Sequence, residues 1–188
     1  MLVLASASPR RQELLRNAGI QFVVNPAGVP EIRRDGEEPR AFAERMAREK
    51  AVAVFAQRPT DLVLGADTVV VVDGEMLGKP RDAADARQML RLLSGRRHEV
   101  ITGVCLVGPR LPMGKTISET TVVNMNVFSD DDISAYVKTG EPMDKAGAYA
   151  IQGIASRWIS RIEGDYFNVV GLPVALVWRM LKETHGEG

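Results

Sequence analysis

The sequence predicts a single α/β domain. Three observations carry that reading. Short apolar runs of strand length, Leu2–Ala5, Leu62–Leu64 and Val100–Val107, alternate with longer segments whose apolar residues recur at helical spacing. No internal repeat and no long linker divides the chain. The 188 residues, 45% of them hydrophobic, suffice for one sizeable core.

Leu2–Ala5 is too short for a helix and suits a buried strand. Ser6–Ser8 are small and let a ligand approach the backbone. Ser8 fits a helix N-cap and Pro9 the first helical position; Leu14, Leu15 and Ala18 give the helix an apolar face, and Gly19 stops it. Strand, small turn and helix N-terminus together make a candidate anion site. Arg10 and Arg11 fall in the first turn, where positive charge does not help the helix. They therefore read as a phosphate grip, removable at little expense to stability, or as two solvated arginines at a corner.

Gln21–Val24 reads as a second strand and Asn25–Glu38 as a loop, in which Glu31 is by composition an ordinary acid. Pro39–Gln57 is a helix striped by Phe42, Met46 and Ala53. Lys50 falls inside that stripe, so it is either paired or snorkelling at the edge. In Leu62–Val72, Gly65 and Ala66 thin an apolar run, and Asp67 and Thr68 interrupt it. A carboxylate there must be paired, metal-bound or solvated in a cleft, and a strand's carboxyl end is a common ligand site. The bland alternative is an aspartate capping a turn.

Val69–Val72, Asp73-Gly74 and Glu75–Leu77 read as a hairpin with a type I′ turn, followed by Gly78-Lys79-Pro80. Asp82–Ser94 is a helix ended by Gly95; Val100–Val107 is a strand; Gly108–Lys115 is a turn-rich loop. Gly114-Lys115-Thr116 imitates the end of a P-loop, but Pro109 stands where its first glycine belongs. Thr116–Phe128 reads as a long strand and Asp130–Thr139 as a helix capped by Ser129. Lys145–Gly153 carries small residues and Gln152, an amide able to donate and accept. Trp158–Ile162 is ambiguous, and Gly164–Pro173 reads as a loop before a terminal helix.

Seven of these segments resemble the Maf family of nucleotide pyrophosphatases over nearly the whole chain. They are Ser6-Ala-Ser-Pro-Arg-Arg11, Met46-Ala-Arg-Glu-Lys-Ala51, Gly65-Ala-Asp-Thr-Val-Val70, Gly78-Lys79-Pro80, Ser94–Val100, Lys145–Gly153 and Gly164–Pro173. The resemblance implies one mixed-sheet domain with two lobes around a cleft, similar to inosine triphosphate pyrophosphatases. It implies hydrolysis of a nucleoside triphosphate to a monophosphate and pyrophosphate. Asp67, Glu31, Lys50 and Lys79 are then the catalytic group, and Ser8, Arg10, Arg11, Thr68 and Gln152 contact the substrate. Asp67 and Glu31 are the expected ligands of a divalent cation, Mg²⁺ first, with Mn²⁺ or Co²⁺ as alternatives. The Tyr149-Ala-Ile-Gln-Gly153 form resembles the subgroup acting on dTTP and UTP rather than the one preferring methylated guanosine triphosphate. A non-catalytic nucleotide-binding regulator of cell division stays open as the alternative.

Composition narrows the classes. Lys+Arg and Asp+Glu are both 24, so net charge is zero, which argues against a general nucleic-acid binder. No apolar run reaches membrane-spanning length, and no basic stretch precedes the first apolar residues. With the single cysteine, Cys105, this points to the cytoplasm. Two histidines make a His-rich zinc site improbable, and His98 reads as structural for want of a partner. The expected partners are a nucleoside triphosphate and a second copy in a homodimer, with no nucleic acid and no membrane.

Overall fold

The computed structural model describes residues 1–185. In chain order the elements are β1 (Leu2–Leu4), α1 (Pro9–Asn17), β2 (Val23–Val24), α2 (Pro39–Phe55), β3 (Leu62–Val72), β4 (Glu75–Leu77) and α3 (Ala83–Leu93). Then come β5 (Arg97–Gly108), β6 (Leu111–Met125), α4 (Asp130–Lys138), β7 (Ile159–Glu163), α5 (Tyr166–Val170) and α6 (Val174–His185). Among the described residues the strands form one seven-stranded sheet in the order β2-β1-β3-β5-β6-β7, with β4 paired to β3. Backbone contacts divide the chain into two compact units. One holds Met1–Thr68, Thr102–Glu119 and the segment from Gly171; the other holds Val69–Ile101 and Thr120–Val170.

In the first unit β1 lies between β2 and β3 and runs parallel to both, with Val3 opposite Val23 and Val63. Parallel strands are buried on both faces, which is why these runs are continuously apolar. Helix α2 meets the sheet through Ala47, Ala51 and Val54, all fully buried. Its approach is exceptionally close. A methyl group at Gly65 of β3 would collide with the Ala47 carbonyl and the Ala51 amide, and one at Gly103 of β5 with Ala43 and Glu44 backbone. Glycine is required at both positions so that the helix backbone can rest on the strands.

In the second unit Val70, Leu90, Val123, Ile133, Tyr136 and Trp158 belong to the core. The β3–β4 hairpin turns on Asp73 and Gly74, both at positive φ as a type I′ turn demands. Ser129 and Asp132 form a reciprocal capping box on α4.

Three readings of the sequence need correction. Strand β3 is continuous through Asp67, so that residue lies mid-strand; the carboxyl end beside it is that of β1, whose pairing stops at Leu4 and Leu64. The loop read at Gly108–Lys115 shrinks to a turn at Pro109 and Arg110, because Gly114 takes φ +72° and stays within β6. Gly164–Pro173 contains α5, which Asp165 initiates by accepting the Phe167 amide at 2.8 Å. Lys145–Gly153 contains one short 3₁₀ helix, Ala146–Ala148, and then a turn at Ile151 and Gln152.

Candidate active site

The close seating of α2 brings Lys50 to Asp67. Gly65 and Asp67 are two residues apart on β3 and therefore share a face. The Lys50 ammonium donates at 2.6 Å to Asp67 Oδ1 and at 2.6 Å to Glu31 Oε1. Lys50 and Asp67 are 7% and 6% exposed, so this pair is desolvated; Glu31 is the hydrated partner. Burial pushes the Asp67 carboxyl above its ordinary range, while Lys50 and Arg11 pull it down. The result is a carboxylate with raised basicity, which general-base chemistry uses. Among the described residues no three His, Cys, Asp or Glu gather as a metal cluster. Asp67 and Glu31, both reaching the Lys50 ammonium, are the hard oxygen donors that would hold a divalent cation such as Mg²⁺.

The helix N-terminus forms as capping chemistry predicts, with Ser8 Oγ accepting the Arg11 amide at 3.4 Å. The half-buried Arg11 donates from Nε to Gly171 O at 2.8 Å, from Nη1 to Ala66 O at 2.9 Å and Ser6 Oγ at 3.3 Å, and from Nη2 to Thr68 Oγ1 at 3.0 Å. Four of its five donors are thus committed within the first unit, and burial lowers its pKa. Thr68 Oγ1 also lies 2.9 Å from Thr102 Oγ1. Arg11 ties α1 to β3 and to the backbone before α6.

Lys79 and Gln152 belong to the second unit. Lys79 is exposed beyond β4 and lines a groove of about 590 Å³ with Glu75, Met76, Gln88, Met89 and Leu92. Gln152 is exposed in the turn that the Gly153 amide closes onto Ala150 O. In the same unit His98 is 2% exposed, and its Nε2 lies 2.7 Å from the Tyr149 hydroxyl. Burial lowers the His98 pKa to about 4 and raises that of Tyr149, so both are neutral near pH 7. Cys105 is fully buried, and burial raises its thiol. It is therefore inert rather than nucleophilic.

Residues 1–184 match the family model described as Maf-like protein. The chain belongs to that family. A relative from Koribacter versatilis, named dTTP/UTP pyrophosphatase, is 59% identical over 183 residues and covers 97% of this chain and 94% of its own. One of the same name from Symbiobacterium thermophilum is 54% identical, covering 97% and 93%. The Staphylococcus aureus Ham1 protein superposes with TM-score 0.52 at 16% identity, over 97% of this chain and 98% of its own, and so shares the fold. Two partners in this Maf-like protein escape sequence reasoning. Thr102 interrupts an apolar strand as Asp67 does, and that signal could have found it. Tyr149, which meets His98, carries no such mark.

Proposed function

We propose that this Maf-like protein hydrolyses nucleoside triphosphates, dTTP and UTP first, between the α and β phosphates. The observation that carries the proposal is the buried Asp67 carboxylate held against the Lys50 ammonium. In this reading Asp67 accepts a proton as water adds to the α phosphorus. The bond to the bridging oxygen breaks, and pyrophosphate leaves with that electron pair. Lys50 keeps Asp67 ionised despite its burial. Arg10 supplies fixed positive charge at the α1 N-terminus, where backbone N–H groups already favour phosphate. Arg11 holds that corner in place, and Ser8 and Thr68 shape it. Glu31 and Asp67 would hold the divalent cation, which when bound neutralises phosphate charge and acidifies water. Lys79 is assigned to phosphate charge and Gln152 to the base.

The names of the relatives support the substrate class, and the subgroup form of residues 149–153 supports the pyrimidine preference. A site built on hydrogen bonds rejects mismatched bases because buried polar groups are left unpaired. Among the described residues no helix is long and apolar enough to cross a membrane. The reading includes a cytoplasmic setting, supported by one buried free cysteine, and a homodimer, which sedimentation measures. Steady-state kcat/KM across common and methylated triphosphates, with product analysis, tests the whole. The expected result is dTTP and UTP leading, with pyrophosphate released. A purine triphosphate ahead by more than about tenfold overturns the base assignment. Release of orthophosphate alone overturns the cleavage position, and binding without turnover in the presence of metal favours a regulator.

A further inference from the structure

The turn that carries Gln152 is held from behind by a carboxylate that the proposed reaction does not use. Glu141 Oε1 accepts the Tyr136 hydroxyl at 2.7 Å and the Ile154 amide at 3.1 Å; Oε2 takes the same amide at 3.3 Å. The Tyr136 oxygen in turn accepts the Ala150 amide at 3.2 Å. The Gly153 amide closes onto Ala150 O at 3.1 Å. The amides of Ala150, Gly153 and Ile154 around Gln152 are therefore bound while residue 152 stays exposed. Gly153 fits because a Cβ there would strike the Glu141 carboxyl group. The entry to the turn is strained, with Ala148 at φ +59°, a conformation that persists only where neighbours enforce it. Tyr149 is pinned to His98, and the Gly147 amide donates to Gly78 O at 3.0 Å, next to Lys79.

An exposed amide on a backbone tied at Ala150, Gly153 and Ile154 is preorganised for recognition, because less is left to order when a ligand binds. We propose that Glu141, acting with Tyr136, is a positioning residue that sets base selectivity by fixing the turn from which Gln152 reads the base. The proposal rests on the reading of Gln152 given above. Neither Glu141 nor Tyr136 touches substrate; both act through the turn.

The test is kcat/KM for dTTP and for ATP in five variants of the full chain: Glu141→Ala, Glu141→Gln, Tyr136→Phe, Gln152→Ala and the double variant Glu141→Ala/Gln152→Ala. Glu141→Ala is expected to lower the dTTP/ATP ratio about tenfold or more, through KM for dTTP, since misplacement by about 1 Å can lower rates by up to about 10². Glu141→Gln keeps an acceptor at Oε1 and is expected to retain most of the ratio. In a Gln152→Ala background Glu141→Ala should change the ratio no further. Should Glu141→Ala fail to fold, Tyr136→Phe, which removes only the hydroxyl, carries the same comparison. If Gln152→Ala lowers selectivity but Glu141→Ala and Tyr136→Phe leave it intact, or if the effects add, the positioning role falls and the Gln152 reading stands. If Gln152→Ala itself leaves selectivity unchanged, the reading of Gln152 falls, and the positioning role with it.

Discussion

Replacing Lys50 with Met removes the ammonium and keeps the length of the side chain. Asp67, whose side chain is 8% exposed, then faces the loss of a partner at 2.6 Å. An uncompensated buried charge destabilises by about 3–5 kcal/mol. The carboxylate has an escape, because it can bind a proton. Protonating an aspartate of ordinary pKa about 3.9 costs about 1.4 kcal/mol per pH unit above that value. That sets a ceiling of about 1.5 kcal/mol at pH 5, whereas at pH 7.5 the ceiling, about 5 kcal/mol, does not limit the loss. Lys50→Met should therefore lower stability by about 3–4 kcal/mol at pH 7.5, roughly 10 °C in Tm for a chain of this size, and by less than half of that at pH 5. Adding Asp67→Asn should recover most of the loss at pH 7.5. Urea unfolding at both pH values measures the cycle. A deficit independent of pH, with no recovery in the double variant, refutes the account of a desolvated pair.

Three further expectations follow from the same geometry. Asp67→Asn should fold and lose about 10²–10⁴ in kcat, and the acidic limb of the wild-type kcat/KM profile should lie above the usual aspartate pKa, because burial raises it; near-normal turnover would exclude Asp67 as base. Arg10→Ala should raise KM for the triphosphate, whereas Arg11→Ala strips donors from Ala66 O and Gly171 O and should lose about 2–3 kcal/mol, so an unchanged melting temperature in Arg11→Ala would contradict its role as a tether. His98 has a folded pKa of about 4 against 6.5 in the free side chain, so the native state binds fewer protons between those values. Its contribution is complete above pH 6.5 and is lost on acidification to pH 4, by about 3 kcal/mol. A His98→Phe variant should show a correspondingly shallower fall in unfolding free energy, and parallel curves would count against a buried neutral imidazole.

What the sequence made legible was local or periodic. Ser8 and Pro9 announce α1 because capping needs only neighbours, and Asp73-Gly74 announces its turn for the same reason. Lys50 stood out because a lysine inside an apolar stripe must find a partner, which it does. Other features depend on distant chain. The destination of the Arg11 guanidinium could not be read, since its acceptors lie 55 and 160 residues away at Ala66 and Gly171. His98 looked partnerless because Tyr149 is 51 residues downstream. Glu141 looked like one acid among many, because the amides it binds belong to a turn whose shape no pattern foretells. The start of β6 was missed because glycine and proline usually signal a loop, and the sheet here accommodates them.

The seating of α2 on Gly65 and Gly103 also shapes how this chain can vary under selection. A helix resting directly on strand backbone has no slack in one direction: any gain in size at the two glycines pushes the helix outward. Lys50 rides on that helix, so such a displacement is felt first as reach lost toward Asp67. Drift at these positions is therefore one-sided. In a saturation library the surviving alleles at both should be glycine almost alone, and trimming side chains on α2 should not rescue a larger residue, because the collision is with the helix backbone. Packing and chemistry are thereby inherited as one trait, and stabilising the helix by filling that seam is a route closed to this protein.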